Sequence, residues 1–305
     1  MSKRCEPVML ATAVLPWNES YELEEECFRK ELRFLFRQVT PHVYIFGTAG
    51  EGYAITDKQF ATILPIFWEE AQANAGKPMV GFISLSLGTM IERMTAAYDF
   101  GFRRFQFSLP SWGALNDREL DLFFRETCGR FTDCEFTHYN LKRSGRLLTG
   151  RDYARLATAH PNLVAAKLSG KDSAYLRDCL VQAKELQFFI TDPGYALMRD
   201  EFECGLLASL ALCHLEMGRQ FFTSRGTELH KFGKEIDQLL ELICQAVGPD
   251  SHMDGAYDKL IYKLHDPDFP LRLLPPYLAP EEDRFHFFRD HLPANWRTNL
   301  NQINL

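Results

Sequence analysis

One lysine stands where a lysine is costly. Residues 163–168 read Leu-Val-Ala-Ala-Lys-Leu, an apolar run that carries Lys167 near its end and continues into Ser169-Gly170. Burying an ammonium is expensive, and desolvation lowers its pKa, which gives the free amine that attack on a carbonyl requires. Standing alone, the same lysine also fits a snorkelling or salt-bridged side chain. A second run, Phe136-Thr137-His138-Tyr139-Asn140, ends in a tyrosine, with Arg143 close behind. A tyrosine hydroxyl relays protons and an arginine forks onto a carboxylate; by itself, a buried tyrosine bonded to backbone is commoner. A third run, Val43-Tyr44-Ile45-Phe46, opens into Gly47-Thr48-Ala49-Gly50-Glu51-Gly52. Such a turn offers successive N–H groups to a carboxylate or phosphate, and equally serves as a tight strand-to-helix turn.

The elements that must position these residues alternate along the chain. Strand-like runs fall near 9–14, 43–46, 79–85, 105–109, 135–139, 163–168, 188–191 and 206–210. Helix-period segments lie between them, including 57–75, 89–100, 117–128, 150–160 and 173–186, with Thr56 and Thr149 placed as N-caps. Strand, helix, strand repeated in this way predicts a parallel sheet, and eight strands predict a closed (β/α)₈ TIM barrel of the α/β class. From about Gly218 the pattern is helical only, through 228–247 and 253–264. A proline-rich wrap from Asp266 and a short final helix follow. The expected organisation is a barrel over 1–217 and a helical C-terminal extension over 218–305, packed as one structural unit. In such barrels chemistry sits at the carboxyl ends of the strands, where all three motifs fall.

Composition narrows the function. Net charge is −7, which disfavours a nucleic-acid partner, and pairs such as Arg103-Arg104 are too short for a basic patch. No run of 18 apolar residues predicts a membrane span. The start Met-Ser-Lys-Arg-Cys-Glu-Pro has no apolar segment of signal-peptide length. The eight cysteines include no CxxC pair and no His at zinc-ligand spacing, so no metal site is expected. A cytoplasmic protein with reduced thiols is the reading. No GxGxxG follows the first strand, which argues against a dinucleotide cofactor. After the seventh strand Thr191-Asp192-Pro193-Gly194 would repel rather than cradle a phosphate, against a phosphate-binding barrel isomerase.

Taken in order, Gly47-Thr48-Ala49-Gly50-Glu51, Tyr139-Asn140 and Lys167-Leu168-Ser169-Gly170 resemble the dihydrodipicolinate synthase and N-acetylneuraminate lyase family. The intervals between them suit that family too, and the likeness runs from about Ala11 to about Leu212. The resemblance implies a class I Schiff-base lyase or aldolase. Lys167 would form an imine with pyruvate or another 2-oxo acid, Tyr139 would move protons, and Thr48 would extend the relay. The Thr48–Ala49 turn would hold the substrate carboxylate, with Gly47, Arg143, Trp112 and Ser209 as further substrate contacts. The partners implied are a 2-oxo acid and an aldehyde, and the assembly a homodimer or homotetramer. An imine is its own electron sink, so no cofactor is implied.

Departures from the family pattern are as informative. Ala49 stands where a Ser or Thr is usual, Lys142 where a proline is usual, and Arg143 falls one residue early. Pro110-Ser111-Trp112-Gly113 replaces a Pro followed by two tyrosines, so the tyrosine that crosses between subunits is missing. Ala49 and Trp112 imply a more apolar pocket and poor activity on aspartate semialdehyde. The alternative reading is an impaired member that binds an oxo acid or serves in assembly. Pairs such as Phe221-Phe222, Leu239-Leu240 and Phe287-Phe288 give a physical reason to expect association.

Overall fold

The computed structural model describes residues 3–297; the first two residues of the expected barrel and 298–305 of the expected C-terminal extension lie outside it. Eight strands close into a barrel in chain order: β1 (Met9–Thr12), β2 (Val43–Ile45), β3 (Met79–Phe82), β4 (Arg104–Phe107), β5 (Glu135–Tyr139), β6 (Leu163–Leu168), β7 (Gln187–Thr191) and β8 (Gly205–Ala208). The helices that follow the strands are α1 (Glu25–Phe34), α2 (Asp57–Ala73), α3 (Leu87–Phe100), α4 (Asp117–Thr127), α5 (Gly150–Ala159), α6 (Ser173–Gln182) and α7 (Asp192–Met198). The C-terminal set is α8 (Leu215–Thr223), α9 (Gly226–Val247), α10 (Asp254–Lys263) and α11 (Glu282–His291). The (β/α)₈ barrel with C-terminal helices is therefore the architecture the alternation predicts.

β5 and β6 have the expected bounds, whereas β1, β2, β3, β4 and β8 stop at Thr12, Ile45, Phe82, Phe107 and Ala208, short of expectation. The reason is that apolarity reports burial, not pairing. Ala13 and Val14 are fully buried, but the Val14 N–H is bound by the Glu31 carboxylate at 2.7 Å instead of a strand. Thr56 and Thr149 cap α2 and α5 through reciprocal bonds with Gln59 and Asp152. Two helices were not foreseen, α1 and α7; the latter opens on Asp192-Pro193, with proline in the first turn where its missing N–H costs nothing. The helix-only region starts at Leu215.

The chain forms two compact units. One comprises the described residues through Leu10 with Met79–Leu207; the other comprises Ala11–Pro78 with the described residues from Ala208. In the first, strand alternation separates two faces. Phe105 and Phe107 of β4 turn their rings onto Phe131, Phe136, Phe123 and Phe124, and His138 of β5 packs on Phe124 and Tyr153 of the surrounding helices. The residues between them, Gln106, Thr137 and Tyr139, consequently face the other way. Arg4 closes this unit's N-terminal end by donating to the carbonyls of Ala157, His160 and Leu163.

In the second unit the buried faces of α1, α2 and α9 are built from Phe28, Leu32, Phe60, Phe67, Leu229, Phe232 and Leu239. The Tyr262 hydroxyl of α10 donates to the Thr12 carbonyl at 2.7 Å, tying the C-terminal helices to the end of β1. Phe221, Leu239 and Phe288 are fully buried in it, and Phe222, Leu240 and Phe287 are half-buried. The apolar pairs therefore do not supply the spare surface that motivated an expectation of association. Among the described residues, no helix is long and apolar enough to cross a membrane.

Candidate active site

The register of β4, β5 and β6 decides what surrounds Lys167. Tyr139 pairs with Lys167, Thr137 with Ala165, and Gln106 with Thr137. Tyr139 and Lys167 thus share one level of the barrel and Gln106 sits one layer below. Lys167 is fully buried. Its Nζ lies 3.9 Å from the centre of the Tyr139 ring and donates to Gln106 Oε1 at 2.6 Å. An aromatic face and a neutral amide oxygen both favour N–H without supplying the full charge of a carboxylate.

Asn140, which follows Tyr139, has a structural part. Its backbone N–H donates to the Lys167 carbonyl at 3.1 Å, and its side chain exchanges two bonds with the backbone of Leu148. That clamp closes the loop carrying Arg143, which sits exposed in a short 3₁₀ turn, Lys142–Ser144. Trp112 is 89% exposed on the loop after β4. In a single chain its indole packs against little, so the argument for an apolar pocket rests on Ala49 alone.

The glycine-rich turn after β2 belongs to the second unit. Phe46 and Glu51 both have left-handed backbone, φ 57° and 51°, which is strained for side chains of their size. The glycines on either side of Glu51 have no room for a side chain. A Cβ on Gly52 would meet the Phe46 carbonyl oxygen at 2.0 Å, and one on Gly50 would meet the Ala13 carbonyl oxygen at 2.8 Å. The N–H groups of Glu51 and Gly52 are bonded within the turn, to Thr48 and Gly47. An anion can therefore be offered only N–H groups earlier in the turn, where Thr48 and Ala49 stand, both buried.

Glu51 fixes this turn from outside. Its Oε1 accepts from the Trp17 indole N–H at 2.9 Å and from Lys259 Nζ at 2.8 Å, and its Oε2 accepts from the Leu274 N–H at 2.6 Å. Glu51 and Lys259 side chains are both 0% exposed. Burial lowers the Lys259 pKa and the Glu51 charge opposes that. The same helix, α10, supplies two more carboxylates: Thr48 Oγ1 donates to Asp254, and Ser209 Oγ donates to Asp258 at 2.8 Å.

The expected residues thus fall into two sets. Lys167, Tyr139, Arg143 and Trp112 lie in one unit, with Lys167 and Tyr139 in contact; Gly47, Thr48, Ala49 and Ser209 lie in the other. Sequence reasoning missed Gln106, Asp254, Asp258 and Lys259. Gln106 had a signal, a polar residue between two phenylalanines of a strand, which must face away from them. Thiol chemistry finds no support: burial pushes Cys5, Cys27, Cys134 and Cys179 up to about 12. Among the described residues no three His, Cys, Asp or Glu side chains gather as metal ligands.

The sequence matches the family model of the dihydrodipicolinate synthetase family over residues 7–192. Among solved structures, YagE, a prophage protein of the dihydrodipicolinic acid synthase family from E. coli K12 in complex with pyruvate, superposes with a TM-score of 0.79. It is 15% identical, over 93% of this chain and 96% of that one. N-acetylneuraminate lyase from Proteus mirabilis gives 0.77 at 14% identity, over 93% and 97%. Dihydrodipicolinate synthase from Thermotoga maritima gives 0.75 at 16% identity, over 93% and 96%. At such identities the structural likeness carries the fold alone. No curated protein matches the sequence.

Proposed function

The chain belongs to the dihydrodipicolinate synthetase family, and from that premise we propose that it is a Schiff-base-forming lyase or aldolase acting on pyruvate or another 2-oxo acid. The observation that carries the reading is the Lys167 amine, fully buried, seated against the Tyr139 ring and bonded to a neutral amide. In the proposed cycle Nζ adds to the keto carbon to give a carbinolamine, which loses water to form the imine. Loss of a proton from the adjacent carbon gives an enamine that attacks an aldehyde; the reverse sequence releases pyruvate. Tyr139 is the proposed proton carrier, and Thr48 a hydroxyl of the relay. The first part of the turn, Gly47 to Ala49, is the proposed seat of the substrate carboxylate, with Arg143, Ser209 and Trp112 as outer contacts. The imine withdraws the electrons itself, so the scheme calls on no metal or organic cofactor.

Treatment with borohydride and pyruvate tests this directly. A reduced pyruvyl mass is expected on the peptide containing Lys167, and none in Lys167→Arg, which keeps the charge but not the nucleophile. Labelling of another lysine, or of none with any 2-oxo acid, would overturn the mechanism. The second reading, an impaired member that only binds an oxo acid, is favoured by the commitment of Thr48 and Ser209 hydroxyls to Asp254 and Asp258. Adduct formation without turnover on any aldehyde would select it.

A further inference from the structure

We infer that Gln106 is a positioning residue for Lys167, and that its amide N–H group is a donor kept for an oxygen of the bound 2-oxo acid adduct. The inference rests on the reading of Lys167 as the imine-forming amine and adds a residue that the three motifs do not contain.

Gln106 is held rigidly. The rings of Phe105 and Phe107 on either side are locked into aromatic contacts on the helix-facing side of β4, so the side chain between them has one direction available. It is 0% exposed. The bond from Lys167 fixes which end of the amide faces which way. Nζ donates to the amide carbonyl oxygen, so the amide nitrogen points elsewhere. That nitrogen, Nε2, is buried and has no hydrogen-bond partner. A buried amide donor without a partner is a standing cost that a leucine or methionine would not carry, and such groups in folded proteins call for an explanation.

A ligand oxygen provides it. The hydroxyl of a carbinolamine is two bonds from Nζ, within the radius that an amide already holding Nζ can reach. The level of the barrel agrees: Gln106, Thr137, Ala165 and Gln187 are linked in register, one layer below Tyr139 and Lys167. At that level Gln187 Oε1 is also buried and without a partner. The floor beneath Lys167 thus offers one unfilled donor and one unfilled acceptor, which suits a hydroxyl that accepts and donates at once. Tyr139 on β5 is the ionisable group set against Nζ; β4 and β7 present Gln106, Gln187, Phe189 and Thr191.

Two substitutions separate the two roles. Gln106→Leu removes both acceptor and donor, with Gln106→Met as its substitute if the leucine form does not fold. Gln106→Glu keeps an acceptor for Lys167, adds charge and loses the donor. Two measurements are made on each: the pH dependence of Lys167 modification by a small amine-acylating reagent, read by peptide mass, and the rate of pyruvate-dependent borohydride trapping. The apolar variant is expected to trap roughly tenfold more slowly or worse, the loss of about one hydrogen bond. In Gln106→Glu the half-point of acylation is expected to move up by about one pH unit or more, because a carboxylate retains the ammonium. Its trapping at neutral pH falls and recovers at higher pH. Wild-type acylation profiles in both variants overturn the positioning role. A lowered melting temperature with wild-type trapping in the apolar variant overturns the donor role and leaves a buried water as the partner of Nε2. If wild-type protein forms no adduct while the acylation half-point still moves, positioning of Lys167 stands, and the Schiff-base reading fails together with the donor role derived from it.

Discussion

Removing the Glu51 charge is expected to expose how the glycine-rich turn is held. Glu51→Gln leaves Lys259 fully buried beside a neutral amide, and turns one acceptor oxygen into a donor facing other donors. Breaking a buried pair from one side typically costs about 3–5 kcal/mol. The structure also sets a ceiling. Burial already pulls the Lys259 pKa below its ordinary 10.5, and Glu51 is the first group opposing this. Without Glu51 the lysine can escape by losing its proton, which at pH 7 costs at most about 3.5 units at about 1.4 kcal/mol each, roughly 5 kcal/mol. That ceiling falls as pH rises. In the variant the folded lysine has the depressed pKa, so between the two values the unfolded chain holds more protons and stability rises with pH. Urea unfolding followed by the fluorescence of Trp17, whose indole Glu51 holds, is expected to show a loss of about 3–5 kcal/mol at pH 7 that shrinks by roughly 1 kcal/mol or more per unit towards pH 9. The double variant Glu51→Gln with Lys259→Met is expected to lose less than the sum of the two single losses, since no unpaired charge remains. A loss under about 1 kcal/mol, or one equal at pH 7 and 9, would show that the pair is not what fixes this turn.

Tyr139→Phe keeps the ring under Lys167 and removes the hydroxyl; kcat is expected to fall by about two to four orders of magnitude with little change in melting temperature. Near-normal turnover would assign the proton to another group. Burial lowers the pKa of His138 from 6.5 to about 3, so its imidazole stays neutral in the fold while the unfolded chain protonates. The stabilisation is complete above pH 6.5 and lost as pH falls towards 3, by up to roughly 3 kcal/mol at pH 4.5. His138→Gln should flatten that acid limb of the unfolding curve, and an unchanged limb would place the effect elsewhere. Light scattering at micromolar concentration is expected to give at least a dimer mass, with Trp112→Ala weakening it because an indole 89% exposed is unusual without a covering surface. A clean monomer would remove both the interface and any role for Trp112 across it.

The strands that the sequence delimits well are those flanked by polar residues. β5 is followed by Asn140 and β6 is preceded by Asn162 and followed by Ser169, and both have the bounds that alternation predicts. Where a strand runs into a buried loop, the apolar signal continues past the last paired residue, as at Ala13-Val14 and Leu109. Lys167 and Tyr139 were legible because each is the polar end of an apolar run, and a shared register made them neighbours. Asp254, Asp258 and Lys259 were not legible, because their partners Thr48, Ser209 and Glu51 are some 50 to 200 residues away and nothing local marks them. What does mark that segment in hindsight is α10 itself. Every residue from Asp258 to Lys263 is buried, charged ones included, and a helix buried all round must spend its charges on specific partners.

Those partners change what the hydroxyls of the second unit can do. A serine or threonine hydroxyl has one proton to donate. Thr48 gives its proton to Asp254 and Ser209 gives its own to Asp258. As they stand, both oxygens can only accept from a ligand, so neither can bind a substrate carboxylate by donation unless the aspartate is released or protonated. The carboxylate contact proposed for the turn therefore falls to backbone N–H groups, which Ala49 offers without the side-chain donor of the family's usual Ser or Thr. This predicts the sign of a substitution. Ala49→Ser adds a donor beside the proposed carboxylate seat without disturbing Asp254. It is expected to lower the KM for the 2-oxo acid about tenfold or more, the worth of about one hydrogen bond to a charged group. Steady-state kinetics at saturating aldehyde measure it, and an unchanged or raised KM would mean that the carboxylate is held somewhere other than this turn.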